Sequence, residues 1–84
     1  MPRVKLIFFS LARDAAGVRE AVVELAEGSR LGDLMKLEVV KKVLNLLKSR
    51  GVELTILVNG ERAGDDHPLA DGDEVAFLPP SSGG

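Results

Sequence analysis

An α+β fold, one mixed β-sheet packed on helix, is what this sequence predicts. Three observations carry the prediction. Apolar residues alternate with a period of two near both ends of the chain, over Arg3–Ser10 and Glu74–Leu78. Between them, from Leu31 to Leu47, the apolar spacing lengthens to that of a helix. Tight-turn chemistry punctuates the second half, at Asn59-Gly60 and at Asp71-Gly72-Asp73.

The first strand runs from Arg3 to Ser10. Val4, Leu6 and Phe8 alternate with Arg3, Lys5, Ile7 and Phe9, so one set faces a core and the other faces out. The outward set begins charged and ends apolar. The same stretch weakly resembles a secretion signal, but Ser10 breaks its short apolar run, and the strand is the better reading. "ARDAAG" follows as a polar turn, with Gly17 free to take a positive φ. Arg19–Ala26 forms a second strand, Val23 and Leu25 to one side, Val22 and Glu24 to the other, and the short link makes the pair a hairpin.

Ser29 is the expected N-cap of a helix, its hydroxyl accepting from a first-turn N–H. Leu31, Leu34 and Met35 make one apolar stripe; Val40, Val43, Leu44 and Leu47 make another, out of phase with the first. A short helix, a slip near Lys36–Glu38 and a second helix ending at Gly51 satisfies this pattern. So does one long kinked helix. Lys41, Lys42, Lys48 and Arg50 form a solvated face. "LTILVNGERAG" is a third strand, an Asn-Gly turn and a short fourth strand over Glu61–Ala63. The last strand, Glu74–Leu78, ends at Pro79 and Pro80, neither of which can donate to a ladder. Residues 1–80 are thus one domain and 81–84 a flexible Gly-Gly tail.

Composition removes several function classes. With 84 residues and 45% hydrophobic content the chain is a single globular domain rather than a disordered one. Its net charge is -2 with both signs mixed, which leaves no basic field for nucleic acid. No stretch is long enough to span a bilayer. The absence of cysteine excludes disulfides, thiolate metal sites and a thiol nucleophile, and fits a reducing cytoplasm. Phosphate-binding glycine motifs are missing. "DDHP" sets Asp65 and Asp66 beside His67, the one histidine; adjacent residues rarely converge on an ion, so a turn histidine and a capping aspartate are expected. Asp71 and Asp73 read the same way, as turn residues that satisfy backbone donors.

What remains is "FLPPSSGG". Gly83 and Gly84 have no Cβ and fit a narrow channel. Pro79 and Pro80 hold the base of the tail extended. From Pro80 to Gly84 the reach is roughly 13 Å, at about 3.3 Å per residue, so the terminal carboxylate can enter a partner's active site. A free carboxylate is a poor electrophile. Adenylated, it becomes an acyl group open to a sulfur or amine nucleophile. Ordering the tail costs on the order of 1–2 kcal/mol per residue, to be offset by contacts with the partner. An inert Gly/Ser end is the competing reading.

The segments "VKLIFFSLARDAAG", "LVNGE" and "HPLADGDEVAFLPPSSGG" resemble the small, sulfur-carrying subunit of molybdopterin synthase, a member of the ubiquitin-like sulfur carriers. The resemblance spans nearly the whole chain and is most specific in its final third. It implies a β-grasp fold. It also implies that an E1-like enzyme adenylates the Gly84 carboxylate using ATP, the carrier itself binding no cofactor tightly and no metal. A sulfur donor then converts the adenylate to a thiocarboxylate. Pro79, Pro80, Ser81, Ser82 and Gly83 would thread into the synthase large subunit of a heterotetramer, where sulfur passes to cyclic pyranopterin monophosphate. The chain would be a non-catalytic, cytoplasmic donor subunit, and the lack of cysteine would place the sulfur on the C-terminal carbonyl. Leu78 stands where the family often has Phe, and Ser81 where it often has Val. These departures bear on the pathway served: molybdopterin, thiamin thiazole or tRNA thiolation. A ubiquitin-like modifier that joins Gly84 to lysines, and a plain binding domain, stay open. Ile7, Phe9 and Leu78, joined by Leu57, are either an outward partner-binding patch beside the tail or covered by loops.

Overall fold

The computed structural model describes residues 1–80, and the expectations for Ser81, Ser82, Gly83 and Gly84 lie outside the described residues. In chain order the elements are β1 (Arg3–Phe8), α1 (Leu11–Ala16), β2 (Glu20–Glu24), α2 (Leu31–Leu34), α3 (Glu38–Lys48), β3 (Thr55–Val58), β4 (Glu61–Arg62) and β5 (Glu74–Leu78). The strands form one sheet in the order β2-β1-β5-β3-β4. β5 runs parallel to β1, with Phe77 opposite Phe8, and antiparallel to β3, with Phe77 opposite Ile56. The first hairpin is antiparallel, Ile7 facing Glu20 and Arg3 facing Glu24. The expected mixed sheet and all five strands are therefore present.

Alternation decides which face is buried. Val4, Leu6 and Phe8 from β1 and Val75 and Phe77 from β5 are buried together with Val40, Val43 and Leu47 from α3. Leu31 and Leu34 from α2 join the same core. Phe8 and Phe77 stack, their ring centroids 5.0 Å apart. The helical region resolves in favour of two helices, with the break between Leu34 and Glu38. Lys41, Lys42, Lys48 and Arg50 are exposed, as a solvated face should be. Gly51, at φ 77, donates to the Lys48 carbonyl at 3.0 Å, and Val52 donates to Leu47 at 2.8 Å. These two bonds are a Schellman closure.

Two local expectations are corrected. "ARDAAG" is not a polar turn: Leu11–Ala16 is helix α1, and its buried Ala12 joins the core as α1 packs on α3. Leu, Ala and Arg are good helix formers, but six residues are too few to display a helical period. The second correction concerns the cap of α2, which is Arg30 rather than Ser29. Arg30 is still extended because it bridges to Pro68, and the Asp33 carboxylate accepts its N–H at 2.9 Å. Ser29 lies one residue too early, and its carbonyl accepts from Leu69.

α1 is entered through a strained turn. Ser10 sits at φ 53 and ψ -120, and the Ala12 N–H closes onto the Phe9 carbonyl at 2.9 Å. This is the first central position of a type II′ turn, where glycine is preferred. Ser10→Gly is expected to stabilise the fold by about 1 kcal/mol: roughly 1–3 of relieved strain less roughly 0.5–1 of added unfolded-chain freedom. A higher urea midpoint at unchanged m-value is the readout.

The second half is tied together by Asp73 and Asn59. Asn59 and Gly60, at φ 51 and 83, make the type I′ turn that Asn-Gly predicts. The Asn59 amide donates to Asp73 Oδ1 at 3.0 Å, and the Ala70 N–H donates to Asp73 Oδ2 at 2.8 Å. Glu74 N–H donates back to Asn59 Oδ1 at 3.0 Å, and Arg3 N–H donates to Asp71 Oδ1 at 2.8 Å. Both aspartates thus satisfy backbone donors, as expected.

The Ala70 N–H, then the Asn59 amide and the charge of His67, hold the Asp73 carboxyl below the ordinary aspartate range, against a smaller opposing effect of burial. A depressed folded pKa means that the unfolded chain binds more protons. The contribution is complete above the unfolded value, about 3.9, and is lost as pH falls through the folded one. The urea midpoint should therefore fall with pH in that acid window, less steeply in Asp73→Asn than in the parent.

Candidate functional site

The sheet has one face in the core and one face open. β5 lies between β1 and β3 and carries the chain out through Pro79, half-buried, and Pro80, exposed. Because β1 is parallel to β5, both strands end on the same side of the sheet. Phe9 continues their ladder, its N–H donating to the Phe77 carbonyl at 3.1 Å. The end of β5 at Leu78, with Pro79 after it, is therefore held beside Phe9.

The register assembles the open face. Ile7 is opposite Ala76, and Ala76 is opposite Leu57, so these three form one apolar row across β1, β5 and β3. Leu78 lies one step nearer the tail, opposite Thr55. Phe9 is 45% exposed, which removes the covered-by-loops reading for this residue. Ile7, Leu57 and Leu78 are half-buried. The expected members Ile7, Phe9 and Leu78 are thus brought together with Leu57 beside Pro79. Ala76 was not foreseen; only the parallel register reveals its place between Ile7 and Leu57.

Toward the start of β5 the same face is charged. Arg3 pairs with Glu24 and Lys5 with Glu20, each at 3.6 Å and largely exposed. Such pairs contribute little stability, but they neutralise each other. His67 is a turn residue, its N–H donating to Gly64 at 3.0 Å. The first N–H groups of α2 are met there by main-chain carbonyls of Asp65 and His67, which accept from Gly32 and Leu31, rather than by the side chain of Asp65 or Asp66. Among the described residues no group of three or more His, Asp or Glu side chains is placed to hold a metal ion. No helix there is long and apolar enough to cross a membrane.

A five-stranded sheet that grips a helix, leaves its other face open and ends its central strand just before Pro79, beside an apolar patch, defines a ubiquitin-like β-grasp protein. Residues 6–84 match the ThiS family, and the chain belongs to it. Over 84 residues it is 36% identical to the molybdopterin synthase sulfur carrier subunit of Chlamydomonas reinhardtii, covering 98% of this chain and 99% of that one. The subunit of the same name from Escherichia coli is 34% identical, covering 96% and 99%.

Solved structures agree. A Pyrococcus furiosus protein described as molybdopterin converting factor subunit 1 superposes with a TM-score of 0.80 at 34% identity, over 96% of this chain and 100% of that one. The small archaeal modifier protein 1 of Haloferax volcanii gives 0.76 at 26%, over 96% and 100%. A chain from the Helicobacter pylori complex of molybdopterin-converting factor subunits 1 and 2 gives 0.61 at 25%, over 98% and 99%.

Proposed function

We propose that this chain is a sulfur carrier for molybdopterin synthesis, with the sulfur held as a thiocarboxylate on Gly84. The carrying observation is the exit of β5 beside an open apolar face, in a chain similar over its full length to sulfur carrier subunits. The described side chains offer no nucleophile paired with a base, so the reactive group of this reading is the main-chain carboxylate. An E1-like enzyme joins that carboxylate to the α-phosphate of ATP and releases pyrophosphate. Hydrosulfide released by a sulfur donor then attacks the acyl carbon, AMP leaves with the bonding electrons, the sulfur's proton passes to solvent, and the thiocarboxylate remains. The domain acts as handle and address label, a non-catalytic subunit working in the cytoplasm. The large synthase subunit is its second partner, in keeping with the two-subunit complex of the Helicobacter pylori relative.

A modifier role has its own support in the likeness to small archaeal modifier protein 1. Activation is the same; a lysine amine replaces sulfur as nucleophile. Incubation with the E1-like enzyme, ATP and a sulfur source, followed by intact mass measurement, separates the two. Exchange of oxygen for sulfur on the free chain supports the carrier. Adducts on other proteins, with no exchange, support the modifier. An unchanged mass rules out both.

The docking patch makes a separate prediction. Phe9→Asp places a charge in the apolar contact without removing a core side chain, since Phe9 is 45% exposed and lies outside the core cluster. Partner affinity should fall at least tenfold, as for a truncated interface anchor, with a urea midpoint close to the parent's. A matching loss of stability would place Phe9 in the core and sink the idea.

A further inference from the structure

The apolar patch has margins that carry charge, and these charges differ in kind from the rest of the face. A shallow cleft at the tail end of β1 is lined by Ile7, Phe9, Ser10, Arg13, Arg19 and Glu20. Both arginines are exposed. Glu20 is taken up by Lys5 at 3.6 Å, whereas Arg13 and Arg19 have no ion-pair partner among the described residues. At the opposite margin Arg62 stands opposite Leu57, on the same face and likewise without an ion-pair partner among the described residues.

The chain as a whole is acidic, at net charge -2, so this cationic rim is a local feature and not an average. Asp71, Asp73 and Glu74 sit at the other end of β5 from the tail. Arg19 is level with Phe8 and Phe77, three residues on from Glu74, or roughly 10 Å along the strand at about 3.3 Å per residue. That exceeds the Debye length of about 8 Å at physiological salt, so the acidic end does little to cancel Arg13 and Arg19.

We infer that Arg13, Arg19 and Arg62 steer the docking of the synthase large subunit, whose contact surface would be apolar at its centre and carry carboxylates at its margin. The inference rests on the carrier reading, which makes this face a docking face. Three arginines, rather than lysines, suit the role. Each guanidinium offers a planar fork that takes a carboxylate through two parallel hydrogen bonds. Rim charges act mainly on the rate of encounter, while the apolar centre sets the rate of escape. Phe9 and the arginines thus divide the work: Phe9 holds, and the arginines direct the surface on which it lands.

The test is stopped-flow association of the full-length chain with the separately purified large subunit of the same organism, over a series of salt concentrations. The parent association rate should fall steeply with salt. In the combined variant Arg13→Glu, Arg19→Glu the low-salt rate should drop on the order of tenfold or more and lose most of its salt dependence, with dissociation changed far less. Arg13→Gln, Arg19→Gln, which neutralises without reversing, should lose less in the same direction. Both variants alter exposed side chains, and equal thermal midpoints verify that they fold.

A parent rate indifferent to salt, or reversed variants that associate like the parent, would overturn the arginine rim and leave the carrier reading standing. No binding of the large subunit by the parent would overturn the rim, and the sulfur-exchange mass assay then decides the carrier reading on its own.

Discussion

Deletion of Gly84 should abolish sulfur loading and leave the unfolding transition where it is. The reacting atom of the proposed chemistry is the terminal carbonyl carbon. Removing one residue moves the new carboxylate back by about 3.3 Å, while a displacement of only about 1 Å from the productive geometry is enough to cost roughly a hundredfold. The expected loss is therefore at least that large and reaches the detection limit of intact mass measurement after incubation with the activating enzyme, ATP and a sulfur source. Stability should not follow, because every buried core residue lies at or before Phe77. The shortened chain still carries Ile7, Leu57, Phe9 and Leu78, so it should compete with the full-length chain for the partner. Loading equal to that of the parent would show that the reacting carbon need not be that of Gly84 and sink its assignment as the reactive residue.

Much of this architecture was legible because it rests on short-range rules. The alternation of Val4, Leu6 and Phe8 against Ile7 and Phe9 already separates two neighbouring phenylalanines, and the structure buries Phe8 and exposes Phe9 accordingly. Asn59-Gly60 specified its turn, and the phase slip after Met35 marked the break between α2 and α3. What escaped reading depends on contacts distant in sequence. Six residues cannot show a helical period, so α1 was hidden, and with it the placement of Arg13 next to Phe9. The cap at Arg30 depends on a bridge to Pro68. The patch depends on the parallel pairing of β1 with β5, which spans most of the chain and sets Ala76 between Ile7 and Leu57. Alternation pointed to an outward apolar set beside the tail, but only register adds Ala76 and sets the order of its members across the three strands.

Phe77→Ala should be the most damaging substitution in the core, and its signature should differ in kind from that of the tail deletion. Phe77 is fully buried in β5, with Phe8 opposite on one side and Ile56 on the other. Truncating a buried phenylalanine costs about 3–5 kcal/mol, through lost transfer energy and the cavity left behind. For a chain of 84 residues the total stability is roughly 4–13 kcal/mol, so the variant keeps a small margin or none. Phe9→Ala, made at an exposed position, should shift the urea midpoint far less. The main-chain bond from Phe9 to the Phe77 carbonyl does not involve the ring, so folded molecules of the variant still deliver the tail beside the patch. Sulfur loading in Phe77→Ala should therefore track the folded fraction and recover under conditions that restore folding, such as a stabilising osmolyte. Loss from Gly84 deletion should not recover under the same conditions. A Phe77→Ala variant that unfolds within about 1 kcal/mol of the parent would mean that Phe8, Ile56 and α3 close over the gap, against the low tolerance of close-packed cores.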